Sequence, residues 1–256
     1  MIFDTHAHYD DDAFDEDRDI LLQSMVPGGV GRIVNVGANM VTSGNTMELI
    51  EQYEYIYGAV GVHPTDTGDT KEADMEQLIR WAQHPKVVAI GEIGLDYYYD
   101  EPEKDIQKHW FLRQLEVGRQ VKLPVIIHSR EAAKDTVELM KEADAASIGG
   151  VVHCYSYTKE LAREFLNMDF YIGIGGVVTF KNARKIKEAI EYIPLEKLVL
   201  ETDSPYLAPV PFRGKRNSSL NIPYVIEAIA ELKGISKEEV EAVTWENGKR
   251  LYRMEQ

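Results

Sequence analysis

Cys154 is the only cysteine among 256 residues. A lone cysteine excludes an intramolecular disulfide, which suits a reducing compartment. Its side chain reads as a small buried hydrophobe beside a strand as readily as a chemical group. No apolar run is long enough to span a bilayer. The N-terminus lacks the basic stretch and following apolar run of a secretory signal, so the expected location is the cytoplasm. Basic residues are scarce: 28 Lys and Arg stand against 43 Asp and Glu, a net charge of −15. That balance argues against a protein that coats nucleic acid with a wide basic face. An anionic substrate would need a local positive site, either a metal ion or a small cluster of arginines. No membrane contact and no stable protein partner is evident.

Short apolar, β-branched segments alternate with longer segments of helical period. The predicted strands are Met1–Thr5, Arg32–Val36, Tyr57–Val62, Val87–Glu92, Pro124–His128, Gly150–His153, Phe170–Gly175 and Leu198–Asp203. Several are apolar throughout, as parallel strands covered on both faces are. Predicted helices include Asp15–Met25, Met75–Gln83, Glu103–Val121, Glu131–Lys141, Lys159–Asn167, Lys181–Tyr192, Ile222–Lys233 and Ser236–Arg253. This alternation is the α/β pattern of a single (β/α)8 TIM barrel, one domain over residues 1–256. A doubly wound open sheet is the main competitor. Against it, the dinucleotide glycine fingerprint is absent after the first strand, where the chain reads DTHAHYDD.

In such a barrel, chemistry collects at the C-terminal ends of the strands. Those ends carry His6 and His8, His63, Glu92, His128, His153 and Asp203. Of the seven histidines, only His84 and His109 fall in segments of helical period, where they read as structural or solvated. His6-Ala7-His8 on a strand puts both imidazoles on one side. Neutral imidazoles with carboxylates are a ligand set for zinc, manganese or another borderline divalent ion. An unpaired buried carboxylate at Glu92 would be costly, which also favours a cation there. His63, before Pro64, is open to substrate binding, to support of other site groups, or to no role.

These residues resemble the TatD family of metal-dependent deoxyribonucleases, within the amidohydrolase-like superfamily. The opening stands as IFDTHAH, the middle motif as PVIIHSREAAKD and the late motif as IPLEKLVLETDSP; GEIGLDYYYD and VVHCYS also fit. The resemblance covers essentially the full chain. It implies metal ligation by His6, His8, Glu92, His128, His153 and Asp203, with Glu92 bridging where two ions are bound. It further implies divalent metal as cofactor (Mg, Mn or Zn, one or two ions) and hydrolysis of phosphodiesters in DNA, commonly from a 3′ end. The chain departs from the family pattern at Ser218 and Ser219, where Glu-Pro is common, and at Tyr9, where an aliphatic residue is commoner.

Phosphodiester hydrolysis needs an activated water and relief of negative charge in the transition state, and two close dications supply both. Asp203 is the expected general base as well as a ligand. Strand alternation points Glu201 to the other face, in a supporting or structural role. Arg213, Lys215 and Arg216 on the loop after the last strand, and Arg130 two residues past His128, are candidate phosphate contacts. Two rivals stay open. One is a barrel hydrolase acting on another ester or an amide, including aminoacyl-nucleic-acid bonds. The usual carbamylated lysine bridge of such enzymes is absent at the fourth strand, where Glu92 takes its place. The other is a non-catalytic metal-binding protein, against which the ligand set and the apparent base both count.

Overall fold

The computed structural model describes residues 1–254, and the last two positions of the expected domain, Glu255 and Gln256, lie outside the described residues. Eight strands form one sheet in sequence order, every adjacent pair parallel. They are β1 (Ile2–Ala7), β2 (Val30–Val36), β3 (Ile56–Val60), β4 (Val87–Asp96), β5 (Val125–Arg130), β6 (Gly150–Val152), β7 (Tyr171–Ile174) and β8 (Leu198–Leu200). Beyond β8 the backbone returns to β1. His8 N donates to Ser204 O at 2.8 Å and Asp203 N to His6 O at 2.9 Å, which closes the ring into a (β/α)8 barrel.

Among the described residues the helices are α1 (Arg18–Gln23), α2 (Met40–Gln52), α3 (Glu72–Trp81), α4 (Lys104–Val121), α5 (Ala133–Glu142), α6 (Lys159–Asn167), α7 (Arg184–Tyr192), α8 (Ile222–Lys233) and α9 (Lys237–Leu251). The periodicity reading passed over α2. Its first half, Val41 to Thr46, is made of β-branched, small and glycine residues that favour helix weakly. A capping box started by Asn39 secures it instead: the Asn39 side chain accepts from Val41 N and Thr42 N, and Thr42 Oγ1 accepts from Asn39 N.

Two apolar layers hold the barrel. The larger packs the outer faces of the strands against the helices. The smaller draws Phe3, Val34, Ala59, Ile126, Val151 and Val199 from six strands and so fills the interior. Tyr252, just past α9, joins this inner layer and donates its hydroxyl to Thr5 O at 2.7 Å.

Strand β4 runs four residues beyond its predicted end. A register shift against β5 falls between Ile90 and Ile93, around Glu92. Such a bulge re-aims a side chain, here toward the barrel mouth. Past it, Gly94 lies at φ +146°, and a Cβ on it would stand 2.0 Å from His128 O. Only glycine lets β4 lie this close to β5 at that point. The extension carries Asp96 to the same end of the barrel.

Candidate active site

Five strand ends deliver the six residues of the site. His6 and His8 come from β1, Glu92 from β4 and His128 from β5; His153 directly follows β6 and Asp203 follows β8. They converge at a cavity of about 750 Å³. His6, Glu92 and His153 are buried, while His8, His128 and Asp203 are partly open to the cavity.

Glu92 faces two groups at once. Its Oε2 lies 3.5 Å from His6 Nε2 and 3.9 Å from His8 Nε2. Its Oε1 lies 2.7 Å from His128 Nδ1 and 2.5 Å from His153 Nε2, with His63 Nε2 at 3.7 Å. On the first side, Asp203 Oδ1 stands 3.6 Å from His6 Nε2 and 3.4 Å from His8 Nε2. His6 Nε2 and His8 Nε2 are 3.1 Å apart, and His128 Nδ1 and His153 Nε2 are 3.2 Å apart.

Ring nitrogens that point at each other beside carboxylates fit a shared cation better than they fit hydrogen bonding alone, because two lone pairs need a positive centre between them. Three groups have ligand atoms close enough together to share a cation: His6–His8–Asp203, His63–Glu92–His128 and His6–His153–Glu201. His8 is set for this by its other nitrogen, Nδ1, which lies 2.7 Å from Val36 O and so leaves Nε2 to the site.

The two carboxylates, His6 and His63 are in the charge states that a cation needs. Burial alone would raise the pKa of Glu92, but the imidazoles around it, His153 first, hold it well below the usual carboxylate range. Asp203 is depressed likewise: burial opposes its charge, and His8, His153 and His6 outweigh it. Burial pushes His6 down to about 4 and His63 down to about 3, the neutral form that offers a lone pair. For His8 and His128 burial is outweighed by the adjacent carboxylates, and both rise to about 9.

The family model described as TatD related DNase matches residues 3–253. The chain belongs to the TatD family of metal-dependent hydrolases. YabD of Bacillus subtilis strain 168, a metal-dependent hydrolase by name, is 47% identical over 99% of this chain and 100% of its own length. YcfH of Escherichia coli K12, named in the same way, is 37% identical over 100% of this chain and 97% of its own. The crystal structure of YjjV, a TatD homologue from E. coli K12, superposes with a TM-score of 0.92 at 31% identity, covering 98% of each chain.

Within this TatD barrel the remaining expected residues are placed unevenly. His63 and Arg130 line the cavity. Arg213 and Arg216, the other candidate phosphate contacts, are not among the residues that line it. Arg216 forms a fork on Asp17, with 2.7 and 2.6 Å contacts, and donates to Ala13 O; Arg213 lies 4.3 Å over the Phe180 ring. A nearby carboxylate and an aromatic face neutralise what the loop's charge run suggested. His84 pairs with Glu51 at 2.7 Å, and His109 stays on α4 beside Trp110.

Two further carboxylates adjoin the site: Asp96, which the sequence reading does not single out, and Glu201, which it places in a supporting or structural role. Asp96 Oδ2 sits 3.2 Å from His128 Nε2, the nitrogen turned away from Glu92, and so orients that ring. Asp96 lies in GEIGLDYYYD, four residues past the predicted end of the strand at Glu92 and at the observed end of β4. Glu201 is the other. Because β8 stops at Leu200, alternation no longer governs it, and its carboxylate lies buried near His6 and His153. Cys154 N donates to Glu201 Oε1, while Glu201 Oε2, His6 Nδ1 and His153 Nδ1 have no hydrogen-bond partner among the described residues. Gly173 makes room for the carboxylate: a Cβ there would stand 2.2 Å from Oε2.

Proposed function

We propose that this protein is a metal-dependent phosphodiesterase that removes nucleotides from the 3′ end of single-stranded DNA. His6, His8, Glu92, His128, His153 and Asp203 hold one or two divalent ions, Mg, Mn or Zn. The observation that carries the reading is Glu92, whose two oxygens face two separate pairs of imidazole nitrogens. A divalent ion bound there supplies positive charge to a phosphoryl oxygen and makes water more acidic.

The chain's own groups do the rest. Glu92 stays ionised in a buried place and keeps the two imidazole pairs within reach of one carboxylate. Asp203, partly exposed to the cavity and ionised, accepts the proton that a water loses as it attacks phosphorus. His8, 3.4 Å from Asp203 Oδ1, orients that carboxylate. His63 and Arg130 meet the substrate. No described helix is long and apolar enough to cross a membrane, and the cytoplasm is the proposed location.

The test is digestion of end-labelled single-stranded and duplex DNA and RNA by protein stripped with chelator, then resupplied with each metal. Release of nucleotides from 3′-ended single-stranded DNA, abolished by chelator, is the expected result. Metal-restored hydrolysis of another ester or amide without any phosphodiester cleavage would contradict it.

A further inference from the structure

The mouth of the cavity carries aromatic walls that the hydrolytic chemistry does not use. Tyr99, on the loop after β4, is 52% exposed, and Tyr206, on the loop after β8, is 55% exposed; both line the cavity. Neither is loose. The Tyr206 hydroxyl donates to Asp11 Oδ2 at 2.8 Å, and its backbone N to Asp203 O at 2.8 Å. The Tyr99 ring meets Tyr98 edge-on, with centroids 5.0 Å apart at 89°.

The charge at this mouth is as selective as its aromatics. Asp10, Asp11 and Asp66 line it, and Arg130 is the only lysine or arginine among the described residues that does. The Arg130 guanidinium rests 3.7 Å over the Tyr98 ring and 5.7 Å from that of Tyr99, a cation held by stacking and left free of carboxylate partners among the described residues. A long polyanion would meet these carboxylates as well as Arg130. A base has an apolar π-face and no charge, and two fixed tyrosines suit it.

We propose that the mouth holds the unpaired 3′-terminal base of a single strand by stacking on its exposed tyrosines, Tyr99 and Tyr206, with Arg130 on the adjacent phosphate. The inference rests on the phosphodiesterase reading and adds the group that is recognised. Base stacking selects unpaired ends, since in a duplex the terminal base is paired and one of its faces is already covered. It is indifferent to sequence because every base offers a π-face.

The test is binding, so it does not depend on turnover. Metal-loaded protein is titrated with labelled short single strands whose last linkage is a non-cleavable phosphonate, bearing either a natural base or an abasic sugar at the 3′ end. Fluorescence anisotropy gives Kd. Loss of the base should weaken wild-type binding about tenfold, within the range stacking supplies. In the Tyr99→Ala/Tyr206→Ala double variant that ratio should fall toward one. Tyr99→Phe/Tyr206→Phe should retain it, because the rings remain. Arg130→Met should weaken both strands alike. Equal binding of both strands to wild type, a double variant that still discriminates, or no measurable binding of either strand would each overturn the proposal. Hydrolysis of the cleavable parent strand, measured in parallel, reports on the phosphodiesterase reading separately.

Discussion

Tyr9 and Ser219 hold each other in the core. The Tyr9 hydroxyl lies 2.8 Å from Ser219 Oγ and accepts from Ser219 N at 2.8 Å, and both residues are fully buried. Ser219 Oγ also donates to Asp4 Oδ2 at 2.6 Å, two residues before His6. These are two of the positions at which the chain departs from its family's common pattern, and the departures touch. A proline at 219 has no N–H to give, so a tyrosine at 9 would have less to accept.

Tyr9→Phe should therefore cost about 1–3 kcal/mol, because it leaves a buried Ser219 N–H without its acceptor. Tyr9→Leu with Ser219→Pro should cost less than the sum of the two single changes, with a coupling of roughly 0.5–3 kcal/mol. Denaturant unfolding of the four proteins gives the cycle. Additive costs would show that the two departures are independent.

Asp203→Asn keeps size and one oxygen but removes the proton acceptor. Turnover should fall by roughly 10²-fold or more, with metal content reduced far less. Single-turnover rates at saturating metal, beside elemental analysis, separate the two effects. Near-native turnover would remove Asp203 from the role of base.

Metal affinity should rise with pH. In the metal-free protein burial opposes charge on His8 and His128, yet Asp203 beside the first and Asp96 and Glu92 beside the second hold both near 9. Below that pH each carries a proton that an incoming cation must displace. Affinity should climb by up to about tenfold per pH unit for each proton released and level off above about pH 9. Glu92 and Asp203 are already ionised throughout that window and contribute no slope. Competition against a chromophoric chelator across pH measures this; a flat profile would contradict it.

Arg216→Ala should leave the KM for oligonucleotides within about twofold of wild type, since its guanidinium is spent on a surface pair with Asp17 worth at most about 1 kcal/mol. With Arg130 as the one arginine at the mouth, the log–log salt dependence of binding should be shallow, roughly one to two units. A steep slope would mean that a basic face elsewhere engages the polymer.

Much of this site is legible in the sequence. Parallel strands buried on both faces announce themselves as apolar runs, and a histidine or carboxylate ending such a run stands out because it interrupts the pattern. That is how His6, His8, Glu92, His128, His153 and Asp203 were found. What stayed hidden depends on geometry that composition does not carry. Helix α2 is built by a cap, and its poor helix formers conceal it. Asp96 lies beyond a bulge that shifts the register of β4. Glu201 escapes alternation because β8 ends one residue before it. Arg216 looked free in sequence, and its partner Asp17 is 199 positions away.

In the proposed site Glu92 joins two adjacent cation positions. Manganese titration followed by electron paramagnetic resonance, with ions counted by elemental analysis, tests it most directly. Ions sharing one carboxylate lie about 3.5–4 Å apart and couple magnetically. Wild-type protein should bind two manganese ions per chain with a spin-coupled spectrum. The His128→Ala/His153→Ala variant should keep one ion and lose the coupling while the barrel stays folded by circular dichroism. A single uncoupled ion in wild type, or full coupled occupancy in the variant, would contradict the assignment.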